Sequence, residues 1–357
     1  MKSDVAIIGG GIAGLAAGAL LAREGKSVVV LEKGNQPGGR AYTYKDKGFT
    51  LNYGPHAIYL PTQGLLAGLI ERLGCEPLRY GRPEPAKSYW SDGDRFGSIG
   101  SAPTSLLTTN LFPMTSKVQL TKLMLAFKGA KVDRIDDAMT YGEWIDAHVS
   151  DPRVRRFAAA FGTVNTYSRP SRDLSAKFFV RHVQRTLFSK DGVGYMSGGW
   201  ASMYGAFLRV LTDNGGQIVT GARIDGLRMT GDRVIAATSG SEHYEADAFI
   251  CALPPQDAAA LASEGTPLRA ALSRWEQLDD VRAVCIDLGF SRRVRTDSTF
   301  VFDIERDLYY SLHSEVTPDL APDGNQLLHA MAYLSPEDAA SDAALAARKE
   351  QLIAGLD

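Results

Sequence analysis

Residues 4–40 leave this chain little choice of fold. They read DVAIIGGGIAGLAAGALLAREGKSVVVLEKGNQPGGR. A short apolar run, Val5 to Ile8, meets a glycine cluster and an alanine-rich segment. A second β-branched run, Val28 to Leu31, then ends in Glu32. Short apolar runs separated by one helical segment predict a βαβ unit with parallel strands. Gly9, Gly11 and Gly14 occupy the three positions of a GxGxxG motif, with Ala13 inside it. The first glycine permits a sharp exit from the strand, the second lets backbone approach a pyrophosphate, and the third lets helix pack closely on strand. The helix starting there directs N–H groups and the positive end of its dipole at phosphate, and Gly25 is placed to end it. Glu32 lies eighteen residues after Gly14, with Lys33 beside it. A carboxylate there accepts hydrogen bonds from both adenosine ribose hydroxyls and repels a 2′-phosphate, which argues against NADP.

Length and composition narrow the class. A chain of 357 residues is long enough for two domains or one large interleaved pair. With 45% hydrophobic and 22% charged residues the composition is that of a soluble globular protein, and a net charge of −2 gives no case for nucleic acid. Cys75, Cys251 and Cys285 are far apart, without CxxC or metal-ligand spacing. That sparse usage suits a reducing cytosol, so the expected location is cytoplasmic and no metal is expected. Ile12 to Ala22 follows Lys2 and imitates a signal-peptide core, but the glycines and the complete βαβ pattern favour the Rossmann helix. No apolar run reaches the roughly 20 residues needed to span a bilayer.

Gly38, Gly39 and Arg40 follow Glu32 after a short loop and give ExxxxxGGR. This resembles the FAD-binding signature of the flavin amine oxidase superfamily, which includes monoamine oxidases, protoporphyrinogen oxidases and phytoene desaturases. The resemblance implies FAD as cofactor, with the two glycines letting backbone lie close to it and the arginine helping to neutralise the pyrophosphate. Phe49 to Tyr59, FTLNYGPHAIY, resembles the family segment that passes beneath the flavin ring. By that resemblance Gly54, Pro55, His56 and Ala57 approach the ribityl chain or isoalloxazine. His56 is then a candidate acid/base group, weighed against a histidine simply packed beside the cofactor. Many members carry an acid where Asn52 stands. Residues 216–252 resemble the region completing the adenosine pocket, where Ile224 offers its backbone to the adenine edge and the strand reaching Ala252 lies near the pyrophosphate.

The expected architecture is α/β. It is an amine oxidase-like two-domain fold in which a Rossmann-like FAD/NAD(P)-binding domain is interleaved with an α+β substrate domain. Residues 1–80 and 191–262 form the FAD-binding parts, and 81–190 and 263–357 the substrate parts. Pattern predicts a helix over 65–73, a hairpin over 88–99 turning at Asp92-Gly93, and a helical region over 103–185. In that region Leu106, Leu107, Leu111, Leu120, Leu123, Met124, Leu125 and Phe127 fall near one another, with Lys117, Lys122, Lys128 and Lys131 interleaved. It reads as a helical lid packed on its own protein, with peripheral contact to anionic lipid as the alternative. Beyond it come a helix over 201–214 and strands over 217–220, 233–238 and 243–245, with a buried one over 248–253. After a short helix following Pro255 come a helix over 267–277 and strands over 283–290, 299–302, 308–313 and 326–333. A final helix runs from Pro336 through Ala343 to Leu356. Tyr309, Tyr310 and His313 are candidate cavity residues, set against plain strand packing. Family members return once more to the FAD domain through a strand, a GD-type motif and a helix. That segment does not occur before Asp357, so the resemblance covers roughly the N-terminal three-quarters of a typical member.

The function implied is an FAD-dependent oxidoreductase of the desaturase or amine oxidase type. Such enzymes move a hydride equivalent from a C–H bond to the flavin, with oxygen or a quinone as electron acceptor. The cofactor carries the redox chemistry, so no catalytic triad is expected. The GPHAIY segment, the Lys/Leu-rich helical region and the lack of clustered acids point to a small apolar substrate, with an amine as the other class. Two alternatives stand beside this reading. A non-catalytic binding protein on the FAD fold, or an inactive truncated homologue, is opposed by the intact glycines, Glu32 and GGR. An NAD-linked dehydrogenase is opposed by GGR and the interleaved layout.

Overall fold

The computed structural model describes residues 2–54, 57–99, 108–275, 278, 280–294 and 298–356. The chain divides into two compact units, numbered here with their elements in chain order. The first comprises residues 1–56, 63–79 and 196–278, and the second 57–62, 80–195 and 279–357. Relative to the expected division, 57–62, residue 80 and 191–195 lie in the second unit and 263–278 in the first. Pairing explains the shifts into the second unit. The strand β5 (Ala57–Tyr59) is antiparallel to β9 (Val193–Met196), and β6 (Tyr80–Gly81) completes their three-stranded sheet.

In the first unit β1 (Ser3–Ile8), α1 (Ile12–Arg23) and β2 (Val28–Leu31) are the predicted βαβ unit. The parallel order is β10 (Gln217–Val219), β2, β1, β13 (Glu242–Cys251). All four residues of β2 are buried, which is why its sequence is an unbroken apolar run rather than an alternation. Two strands, β12 (Arg233–Ser239) and β11 (Gly226–Thr230), extend β13 as an antiparallel meander. The two strands expected over 243–245 and 248–253 are one, because residues 242–245 pair with β12 and 246–251 with β1. It is not buried as expected: Asp247, Ala248 and Cys251 are exposed. Against the sheet α1 buries Gly14, Leu15, Gly18, Ala19 and Ala22. A Cβ on Gly18 would meet Val30 Cγ2 at 3.1 Å and Leu211 Cδ1 at 3.2 Å, so its absence seats α7 (Ala201–Asp213) on α1.

The second unit centres on a six-stranded sheet. Its order is β14 (Arg282–Phe290), β17 (Gln326–Leu334), β16 (Leu308–Ser311), β15 (Phe300–Asp303), β7 (Ser88–Asp92), β8 (Arg95–Ser98), with β7 and β8 the expected hairpin. One face carries Trp90, Phe302, Tyr309, Met331 and Tyr333 into a large core with α3 (Met114–Gly129), α4 (Tyr141–His148), α5 (Pro152–Thr166) and α6 (Ala176–Thr186). The other face carries Leu308, Ala330 and Ala332 under Leu352 of α12 (Asp342–Ala354). The helical region thus packs on its own sheet, with Leu106 and Leu107 outside the described residues. Leu125, expected with the core leucines, is 64% exposed. The strand expected to reach His313 stops at Ser311, and α10 (His313–Val316) follows. The single final helix is two, α11 (Pro336–Ala339) and α12, because Ser341 caps a new start by accepting the Ala344 N–H at 3.4 Å.

Two stability predictions follow from this packing. Thr140 and Glu143 form a reciprocal capping box at the start of α4, so Thr140→Ala should cost about 1 kcal/mol in urea unfolding. His313 is fully buried, its ring stacked on His329 at 5.3 Å and 14°. Burial, then the neighbouring His329, hold the His313 imidazole well below the usual histidine range. The unfolded chain therefore binds the proton first, and stability present above about pH 6.5 is lost as the pH falls below it. Half-buried His182, also lowered by burial, adds to the slope. The melting temperature should drop between about pH 7.5 and about pH 5, and His313→Gln should flatten part of that drop.

Candidate functional site

The residues singled out by the motif meet where β1, β2 and β13 end side by side in parallel. Ligands of open α/β sheets bind at this carboxyl edge. Gly9 adopts φ +109°, and a Cβ there would lie 2.9 Å from the Ala252 carbonyl oxygen. A Cβ on Gly14 would sit 1.9 Å from the Gly9 carbonyl oxygen and 3.4 Å from Ala252 Cβ. Gly9, Gly14 and Ala252 are therefore one close-packed junction of strand, helix and strand. Gly11 is different. Its φ is −74°, and a Cβ built on it meets nothing within 4 Å. It starts α1 without a side-chain cap and without an acid in the first turn, where Ala13 is exposed. The first-turn N–H groups of a helix have no intrahelical acceptor, so this terminus faces open space with donors and a positive dipole end.

Glu32 binds two loops before any ligand is considered. It is buried, its Oε2 accepts the Gly10 N–H at 2.8 Å, and its Oε1 accepts the Gly34 N–H at 2.7 Å. Each carboxylate oxygen keeps lone-pair capacity for a further donor. The GGR segment closes on the same loop. The Gly38 N–H donates to the Gly10 carbonyl at 2.9 Å, and a Cβ on Gly39 would lie 3.1 Å from Gly11 Cα. Gly38 and Gly39 have φ of +122° and +55°, which side chains resist. Arg40 is exposed on the short turn Gly39–Ala41, and Lys33 is exposed beside Glu32. A Cβ on Gly54 would lie 2.3 Å from the Arg40 carbonyl oxygen, so glycine lets the chain pass that turn. The Ala222 N–H donates to the Glu32 carbonyl at 2.9 Å, and Ile224, two residues on, packs on the cluster of Ala6, Ile8 and Ala222. Pro55 and His56 lie outside the described residues, and Ala57 belongs to the second unit.

Asn52 completes its own network. Its Oδ1 accepts from Thr43 Oγ1 and from the Trp200 N–H, both at 3.0 Å, while Thr43 Oγ1 accepts the Ala201 N–H at 3.1 Å. The neutral amide thus ties β3 (Thr43–Asp46) and β4 (Phe49–Asn52) to the start of α7.

The second unit holds a polar aromatic cluster of its own. Tyr195 and Tyr309 share a hydroxyl hydrogen bond at 3.1 Å, and Tyr59 donates to Asn165 Oδ1 at 3.2 Å. Burial pushes all three phenols up, above the usual tyrosine range. Strand alternation separates the expected trio of Tyr309, Tyr310 and His313. Tyr309 enters the large core, whereas Tyr310 points to the other face and donates to the Leu352 carbonyl at 3.2 Å. The pattern reading missed Asp287 and His329, which are cross-strand partners on β14 and β17, with His329 Nδ1 2.7 Å from Asp287 Oδ1. Only their register could have revealed them. Among the described residues no group of three or more metal-ligating side chains occurs, and no helix is long and apolar enough to cross a membrane.

The two structural roles in the cradle are separable by substitution. Gly14→Ala must displace a backbone oxygen and should cost at least about 1–3 kcal/mol. Glu32→Gln turns an amide N–H toward a buried backbone donor and should cost about 1.5–3 kcal/mol. Both are read by denaturant unfolding without added ligand, and an unchanged midpoint for Glu32→Gln would show that the carboxylate does not hold the loops.

Comparison with known proteins supplies the family. The chain is 29% identical over 266 residues to amine oxidase [flavin-containing] A of Equus caballus, covering 71% of this chain and 50% of that one. It is 25% identical over 280 residues to phytoene dehydrogenase of Streptomyces griseus, covering 69% and 53%. The chain spans about half the length of these curated relatives. In fold it is similar to an oxidoreductase from Methanosarcina mazei, with a TM-score of 0.82, 20% identity, and 99% and 84% of the two chains covered. It is likewise similar to a putrescine oxidase bound to putrescine, with a TM-score of 0.75, 19% identity, and 95% and 77% covered. The expected two-domain architecture is thus the observed one. The sequence signature of the flavin containing amine oxidoreductases matches residues 12–356. The chain belongs to the flavin containing amine oxidoreductase family.

Proposed function

We propose that this chain is an FAD-dependent oxidoreductase that removes a hydride equivalent from a C–H bond of a small apolar substrate, with oxygen or a quinone as final acceptor. The observation that carries the proposal is Gly11, the one motif glycine whose missing side chain leaves open space, at an uncapped helix terminus. Its neighbours Gly9, Gly10 and Gly14 are accounted for by packing, since a Cβ on each would lie within 3.0 Å of another atom. A dinucleotide pyrophosphate fits the charge and donor character of that space.

In this reading the first turn of α1, with Ala13, donates to the pyrophosphate, and exposed Arg40 neutralises its charge. Gly38, Gly39 and the strand end at Ala252 bring backbone close. Glu32 uses its remaining lone pairs for the ribose hydroxyls, Lys33 flanks it, and Ile224 offers backbone to the adenine. Gly54, Pro55, His56 and Ala57 form the segment nearest the reacting ring, with His56 the candidate for holding or moving a proton. Bound FAD supplies the hydride acceptor, so the protein's part is to bind, orient and exclude water. The apolar class of substrate rests on the GPHAIY segment, the Lys/Leu-rich helical region and the lack of clustered acids in the sequence.

The test is a pair of glycine variants measured for both folding and cofactor. Gly11→Val fills open space, so it should keep wild-type stability within about 1 kcal/mol. It should also weaken FAD binding more than about ten-fold, read by flavin fluorescence quenching. Gly14→Ala should lose stability as well as FAD. Wild-type protein that neither carries nor takes up FAD, or Gly11→Val binding it as wild type does, would overturn the proposal.

A further inference from the structure

Tyr333 is fully buried, and its hydroxyl has no hydrogen-bond partner among the described residues. A buried phenol is normally paired, because a hydroxyl stripped of water and left unsatisfied is costly. Strand pairing sets its surroundings. Tyr333 stands opposite Ala283, Met331 opposite Cys285, and His329 opposite Asp287. Residues directly opposed across two strands share a face, so these six line one side of β14 and β17. Tyr309 of β16, opposite Met331, joins them there. The Tyr333 ring meets that of Tyr167 edge to face with centroids 5.7 Å apart. Its phenol also lies within electrostatic reach of Tyr59, Tyr195 and Cys285.

The polar groups around Tyr333 are engaged with one another. Tyr195 and Tyr309 share their hydrogen bond at 3.1 Å, and Tyr59 donates to Asn165 Oδ1 at 3.2 Å. Asp287 Oδ1 lies 2.7 Å from His329 Nδ1. The face is not sealed at the β14 edge. Cys285, the diagonal neighbour of Tyr333, is exposed, and the Asp287 side chain is 20% exposed. The unused hydroxyl therefore sits next to a flank that a small molecule can reach.

We propose that Tyr333 Oη is a specificity-determining donor for an apolar substrate that carries a neutral oxygen acceptor, such as a carbonyl. The inference rests on the reading that the second unit receives an apolar substrate, and it adds the one polar feature that substrate carries. Burial holds the Tyr333 phenol well above the usual tyrosine range, so the hydroxyl keeps its proton and donates. Neutrality of the acceptor follows from the neighbours. The Asp287 carboxylate on the same face opposes an anion, and its engagement by His329 leaves it poorly placed to pair a cation. An unpaired donor beside apolar rings selects strongly for a ligand that satisfies it, since a ligand without the acceptor leaves the hydroxyl unsatisfied.

Binding of acetophenone and of its oxygen-free isostere α-methylstyrene to the full chain tests this without turnover. Occupancy is read as protection of Cys285 from N-ethylmaleimide, followed by peptide mass spectrometry. Acetophenone should protect Cys285, and Tyr333→Phe should raise the half-protecting concentration about five- to ten-fold. The same variant should leave protection by α-methylstyrene within about two-fold. Its melting temperature should not fall, since the hydroxyl holds no partner in the fold. Tyr310→Phe, on the opposite face of the sheet, should leave both molecules binding as before. Acetophenone that gives no protection, a Tyr333→Phe variant that treats the two molecules alike, or a lowered melting temperature would each overturn the inference. None of these outcomes bears on FAD uptake, which the glycine variants test separately.

Discussion

The first unit depends on a contact that only glycine permits. The Cα of Gly14 comes so close to the Gly9 carbonyl that a Cβ would stand 1.9 Å from its oxygen. That approach lets α1 descend directly onto the end of β1. Everything else at the carboxyl edge is arranged around it. Ala252 fills the remaining side of the junction, the Glu32 carboxylate joins the glycine loop to Gly34, and Gly38 donates back to Gly10. A helix terminus fixed this tightly presents its N–H groups in one direction, and preorganised donors bind an anion without the cost of ordering them.

Glu32 holds two loops through its carboxylate and keeps lone-pair capacity for a further donor. An acid at that distance after the glycines is placed to meet a ribose, and this is the role the motif implies for Glu32. The folded chain gives both of its oxygens backbone donors as well. The two roles are compatible, since a carboxylate can accept about four hydrogen bonds. They also mean that loss of the acid disturbs the loop whether or not a nucleotide is present. Asn52 makes a related point. An acid there would bring a charge into a buried site whose two donors, Thr43 Oγ1 and the Trp200 N–H, a neutral amide already satisfies.

The second unit is organised by alternation. Successive residues of β16 and β17 go to opposite faces, so Tyr309 joins the helical core while Tyr310 lies under α12. The same pleat brings Asp287 and His329 together across two strands that are far apart in sequence. Helix α3 shows the converse. Its apolar residues read as one group along the chain, and helical geometry divides them into a buried set and an exposed stripe.

The sequence by itself determined the βαβ unit, the glycine positions, Glu32, the GGR turn and the order of most later elements. Those features are local: strand and helix periods, turn residues and close-approach glycines act over a few residues, so their spacing is written in the chain. Tertiary structure alone decided which glycines serve packing and which opens onto space, because that depends on Ala252, some two hundred and forty residues away from the loop it closes. It also decided that residues 242–251 form one strand with two different partners, that Asp287 meets His329, and that Leu125 faces outward. Each of these rests on a register or a neighbour supplied by a distant segment, which a pattern local to one partner does not encode.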